Sequence, residues 1–116
     1  MKKEIADLWI DALKSGKYKK DIFKLNINNE TFCCLGVLCE LAIANGIELE
    51  KIVDDDKSID YDNNATHLPE KVQEWAGMRS NYGSFDSGKN NLVSLNDTSV
   101  NFNKVIRAIL EHQEEL

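Results

Sequence analysis

At 116 residues, 42% of them hydrophobic, the chain is sized for one domain, 1–116, and carries enough apolar material for a core without disulfide staples. No apolar run reaches the roughly 20 residues of a membrane helix, the charged start Met1–Asp7 lacks an apolar signal region, and a net charge of −6 argues against duplex nucleic acid as a partner. Three cysteines, an odd number with Cys33 and Cys34 adjacent, read as free thiols in a reducing cytosol, so a cytoplasmic protein is expected.

Ile5, Leu8, Trp9, Ala12 and Leu13 recur at helical spacing and predict an amphipathic helix over 3–15. Ser15-Gly16 stops it, with Gly16 free to take a left-handed conformation. Residues 22–27 alternate over Phe23, Leu25 and Ile27 and predict a strand. Asn28-Asn29 signals a turn, and Glu30-Thr31-Phe32 the returning strand.

The most apolar run follows. From Cys33 to Asn45, apolar residues cover nearly every side of a helix, which predicts the buried centre of the domain. Gly36 within it costs about 1 kcal/mol of helix propensity relative to Ala, so its expected use is to admit a second backbone. Asn45-Gly46 ends the helix.

Residues 47–62 hold seven acids and two lysines, and the acidic, Asn-rich stretch 47–66 predicts a long surface loop, with a short strand at 51–53. Leu68-Pro69-Glu70 opens a third helix, with Val72, Trp75 and Ala76 facing inward and Gly77 ending it. Residues 78–91 read as a loop or short hairpin around Tyr82 and Phe85. Leu92–Leu95 reads as a short strand or extended segment. Asp97-Thr98-Ser99 offers N-caps for a final helix over 100–113, striped by Phe102, Val105, Ile106, Ile109 and Leu110. The expected fold is α+β: about four helices, three of them packed around the buried helix 33–45, with a small antiparallel sheet.

Cys33 and Cys34, then His67, then Asn96-Asp97 follow the chain order of a cysteine-dependent hydrolase. The alternative is that these cysteines are simply small core residues beside Phe32 and Leu35. The aspartates of 54–62 lack the glycine and glutamate of a calcium loop, and the cysteines lack zinc-knuckle spacing, so no metal or cofactor is expected. Lys14, Lys17, Lys19, Lys20 and Lys24 form the only basic run, which reads as a solvated turn. The start of the last helix, with Lys104 and Arg107 on its polar side, suggests an anion site. Arg79 could add a guanidinium, while Tyr82 and Phe85 could supply aromatic faces.

Trp9…Leu13-Lys14-Ser15-Gly16-Lys17-Tyr18-Lys19, Cys33-Cys34-Leu35-Gly36-Val37-Leu38, Leu68-Pro69…Trp75-Ala76-Gly77 and Leu95-Asn96-Asp97…Phe102 together resemble a family of small phage and prophage proteins with a Cys-Cys-Leu-Gly-Val-Leu signature. The match spans nearly the whole chain, although Lys20 stands where that family often has Gln. The resemblance implies an anti-defence protein in the host cytosol, of the type that sequesters signalling nucleotides such as the cyclic ADP-ribose isomers of Thoeris immunity. On that reading the protein is a non-enzymatic homo-oligomer. Arg107, Lys104 and Arg79 would meet phosphates, Tyr82, Phe85 and Trp75 would pack on bases, and Asn96 and Asp97 would bond ribose or base edges or simply cap the helix. The alternative from a different class is an inhibitor that docks a host protein, with 48–62 as its acidic contact.

Overall fold

Lys3–Lys14 is helical (α1) in the structure, a computed structural model describing residues 1–116. Its buried residues are Ile5, Ala6, Trp9, Ile10 and Leu13, whereas Leu8 is exposed. The apolar stripe is therefore rotated from the predicted one, because α1 is covered on two sides by later helices. Ser15 caps its end and Gly16 takes φ +77°, as predicted.

The next segment makes a three-stranded ribbon of two-residue strands, β1 (Lys19–Lys20), β2 (Asn26–Ile27) and β3 (Thr31–Phe32), in the order β1-β3-β2. β2 and β3 run antiparallel, while β1 lies parallel to β3. Asn28 and Asn29 both take positive φ, and the Glu30 N–H reaches the Ile27 carbonyl, a mirror-image turn that asparagine tolerates. The predicted strand over 22–27 is cut to its last two residues. Phe23 sits at φ +66° with 61% of its surface exposed. Its N–H is taken by the Asp97 carboxylate and that of Ile22 by Asp21, which diverts the backbone from a ladder.

Cys34–Ala44 is the buried helix (α2), and every residue from Phe32 to Cys39 is buried. Leu25 passes directly over Gly36. A Cβ built there would lie 1.7 Å from the Leu25 carbonyl oxygen, so this glycine admits a second backbone, as expected.

The acidic segment forms a hairpin, β4 (Lys51–Val53) antiparallel to β5 (Ile59–Tyr61). The third predicted helix is α3 (Glu70–Ala76), closed by Gly77. β6 (Ser84–Phe85) and β7 (Asn90–Asn91) make the short hairpin expected around Phe85.

Leu92–Thr98 is a helix (α4), not a strand. The Asn91 side chain accepts the Ser94 N–H at 2.8 Å and starts the helix, and Leu92 and Asn96 are its buried face. The expected N-caps Asp97 and Thr98 therefore belong to its last turn. The final helix, α5 (Asn103–His112), starts after Phe102 with no side-chain cap. Leu110 lies outside its stripe, exposed.

The result is an α+β fold of five helices and three small sheets. The main neighbours of α2 are α1, α3 and α4, while α5 packs on α1 and α4. So α4 takes the flank of the central helix that was assigned to the last one. All the buried apolar residues except Ile59 form one continuous cluster from Ile5 to Leu116. No helix is long and apolar enough to cross a membrane.

Candidate binding site

The cysteines are bound into the core. Cys34 is fully buried, its carbonyl accepts the Trp9 indole N–H at 2.9 Å, and its thiol lies 3.9 Å from the Leu92 carbonyl. Burial raises the Cys33 thiol to about 11 and pushes the Cys34 and Cys39 thiols well up from their ordinary value. Amides at the start of α2 act the other way on Cys33 and Cys34, but desolvation outweighs them. His67 is exposed, bonds Thr66 and lies edge-on to Tyr82. The Asn96 side-chain oxygen, meanwhile, accepts the Cys34 backbone N–H rather than orienting an imidazole. The chain order Cys, His, Asn thus folds without becoming a hydrolase triad. A thiol reagent should label none of the three cysteines in the folded protein and all three in urea. Labelling of folded protein faster than global opening would show an accessible thiol.

The eight predicted ligand residues do not gather at one point. Arg79, Tyr82 and Phe85 line a depression of about 360 Å³ with three serines and Glu115. Lys104 and Arg107 line a separate one of about 320 Å³ with Glu111 and His112. Phe85 is the shared wall, but its ring is buried and covered by His112, stacked at 4.6 Å. Trp75 is half-buried in a third depression, beside Lys71, Glu48 and Glu74. In each case a carboxylate lies beside the cation and weakens the attraction for an anion.

Asn96 and Asp97 hold the fold. Asn96 is fully buried; its amide donates to the Asp21 carbonyl at 2.9 Å and to Asp97 at 3.1 Å, while its oxygen holds the Cys34 N–H at 3.0 Å. The assignment of Asn96 to ribose or base edges is corrected: no polar atom of its side chain is left for a ligand. Asp97 spends one oxygen on Phe23 and Asn96.

At the tip of the acidic hairpin, the exposed Asp54 and Asp56 both bond Ser58. Asp56 accepts both the Ser58 N–H and hydroxyl, which holds its carboxyl below the usual range. Burial, with Asp54 beside it, raises that of Asp60. No three ligand-type side chains gather around one point.

A fourth depression has a different character. It measures about 440 Å³ and lies between the end of α1, β1 and the turn into α5. Buried Leu13 and Phe102 form its floor, and Val100, 97% exposed, stands at its rim. Tyr18 forms one side, its ring edge-on to Phe32 at 5.2 Å with the Lys17 ammonium 5.5 Å from its centroid. The charged side chains of the lining are Lys14, Lys19 and Lys20, with no acid among them, and none of the three is paired with a carboxylate. Asn101 and Asn103 add amides. Sequence reasoning set these lysines aside as a solvated turn. The signal was present, as the only basic run in an acidic chain, but its other wall lies some 80 residues away in sequence and arrives only because α5 packs on α1.

The sequence profile of one family, described as Domain of unknown function (DUF8296), matches residues 1–114. No curated protein and no solved structure matches the chain.

Proposed function

We propose that this chain, which belongs to the DUF8296 family, is a non-enzymatic binding protein for a small phosphorylated ligand of the nucleotide class. One observation carries the reading: the depression of about 440 Å³ whose charged lining is entirely lysine, in a chain of net charge −6. That volume lies within the range of small-molecule sites, roughly 300–1,000 Å³. Three unpaired ammonium groups supply point charges for phosphate, and the Leu13–Phe102 floor with the Tyr18 ring supplies an apolar seat for a base. Carboxylate, thiol and imidazole are missing from this lining, which suits holding an anion rather than transforming it. Taken with the resemblance to small phage proteins, the proposed ligand is a host signalling nucleotide, kept from its receptor in the host cytosol. A homo-oligomer would deepen such an open site.

Titration calorimetry with a panel of nucleoside mono- and diphosphates and cyclic nucleotides tests the reading. At least one should bind, more weakly as salt rises. Each exposed ammonium–phosphate contact is worth about 1 kcal/mol, so the double variant Lys19→Ala, Lys20→Ala should weaken binding about tenfold or more while the melting temperature stays within a few degrees. Loss of binding in Arg79→Ala or Arg107→Ala, with the lysine pair silent, would move the site to the Phe85 depressions. No binding by any member of the panel would end the nucleotide reading.

A further inference from the structure

The β4–β5 hairpin is left with an open edge. Asp62 N–H bonds the Glu50 carbonyl and Asp54 N–H bonds the Ser58 carbonyl, and the register pairs Ile52 with Asp60. Bonded pairs alternate along an antiparallel ladder, so the bonded positions are 50, 52 and 54. The N–H and C=O groups of Lys51 and Val53 therefore point away from β5, and no group of the chain takes them. Such an edge is a template for another strand, and natural sheets usually block it with a lysine or a proline. Here the lysine is turned away. Lys51 reaches back across the sheet to Glu40 at 3.1 Å and Asn29 at 3.2 Å, with its ammonium 5.5 Å from the centre of the Tyr61 ring. All of β4 is exposed, including Ile52 and the 67% exposed Val53, on opposite faces of the strand.

The charge around this edge selects its occupant. Glu48, Glu50, Asp54 and Asp55 flank β4, and none of their carboxylates is paired with a cation. A second copy pairing β4 with β4 about Ile52 would set Glu50 against Asp54, and like charges directly opposed are destabilising. We propose that the open edge of β4 takes up, by strand addition, an extended segment of a partner protein in which lysine or arginine alternates with β-forming residues. Backbone bonds to Lys51 and Val53 supply register, the apolar side chains of one face cover Val53, and on the other face Glu50 and Asp54 select for basic residues. This surface is independent of the lysine-lined depression: either can fail while the other stands.

The probe is a terminally blocked seven-residue peptide alternating Lys with Val, compared with its Glu-for-Lys counterpart by fluorescence anisotropy. The lysine peptide should bind at low salt and lose most of its affinity in 0.5 M salt, and the glutamate peptide should not bind. Val53→Pro removes one outward N–H without touching the β5 ladder, and should weaken binding about tenfold. In the unaltered protein, amide exchange at Lys51 and Val53 should slow when the lysine peptide is added, with Ile52 unchanged. Equal binding of the two peptides, or exchange at Lys51 and Val53 that the peptide leaves unaltered, overturns the proposal. Slowed exchange at those amides with rising protein concentration and no peptide also overturns it, and makes the occupant a second copy.

Discussion

Gly36→Ala unfolds the domain or leaves it barely stable, with a loss of more than about 4 kcal/mol. On helix propensity alone the change should help, because alanine in a helix interior is better than glycine by about 1 kcal/mol. Packing decides the sign. The new methyl would lie 1.7 Å from the Leu25 carbonyl oxygen and 2.6 Å from its carbonyl carbon. Both atoms are backbone, so no side chain can swing aside. Leu25 is itself fully buried, and its N–H is bonded to the Ala65 carbonyl at 2.8 Å. Relief requires moving the 22–27 segment off α2, which would strip the buried Leu25 and Asn26 side chains from the core. Urea denaturation followed by circular dichroism reads the effect directly. A midpoint equal to that of the unaltered protein would mean that Leu25 does not cross α2 as described.

Asn96→Asp is the second large loss, expected at about 3–5 kcal/mol at neutral pH. The change is nearly isosteric, so it isolates hydrogen bonding and charge. The retained oxygen still accepts the Cys34 N–H, but the donor to the Asp21 carbonyl is gone. A carboxylate would then sit fully buried, facing the Asp97 oxygen that now accepts the Asn96 amide at 3.1 Å. Burial and Asp97 both raise the folded-state pKa of the new carboxyl above its unfolded value of about 3.9. The deficit is therefore smallest below that unfolded value, where the neutral acid can donate as the amide does. It grows as pH rises towards the raised folded value, beyond which it levels off. Denaturation midpoints at pH 4 and pH 7 check this. A deficit independent of pH would place the cost in packing alone, and no deficit would show that Asn96 does not tie α2 to α4.

The part of the fold legible in advance was the part governed by local pattern and composition. A run from Phe32 to Cys39 that is apolar on every side has no stable place but the centre, and α2 is there. The glycine within such a run signals a close crossing, though not that Leu25 supplies it. The Asn28-Asn29 turn, the β4 strand and the hairpin at Phe85 follow from residues whose own conformational preferences agree with the final structure. The failures share a cause. Phe23 alternates correctly for a strand, yet a carboxylate 74 residues away takes its N–H. Leu92–Leu95 looks extended, but Asn91 caps it as a helix and Asn96 fastens that helix to the start of α2.

The candidate site follows the same division. Arg79, Tyr82, Phe85, Lys104 and Arg107 had the right chemistry, but they fall into two depressions, each with a carboxylate at hand. The lysines of 14–20 acquire an apolar floor only when Phe102 arrives beside Leu13.

Amino-acid order alone determined that the chain is an α+β protein built around a cysteine-bearing helix, because burying the one uniformly apolar segment is the dominant free-energy gain open to it. Which polar groups would be consumed inside the fold, and which lysines would be left to face a ligand, only the tertiary structure decided. Those outcomes depend on hydrogen bonds and packing between residues 60 to 90 positions apart, whose geometry no local pattern records.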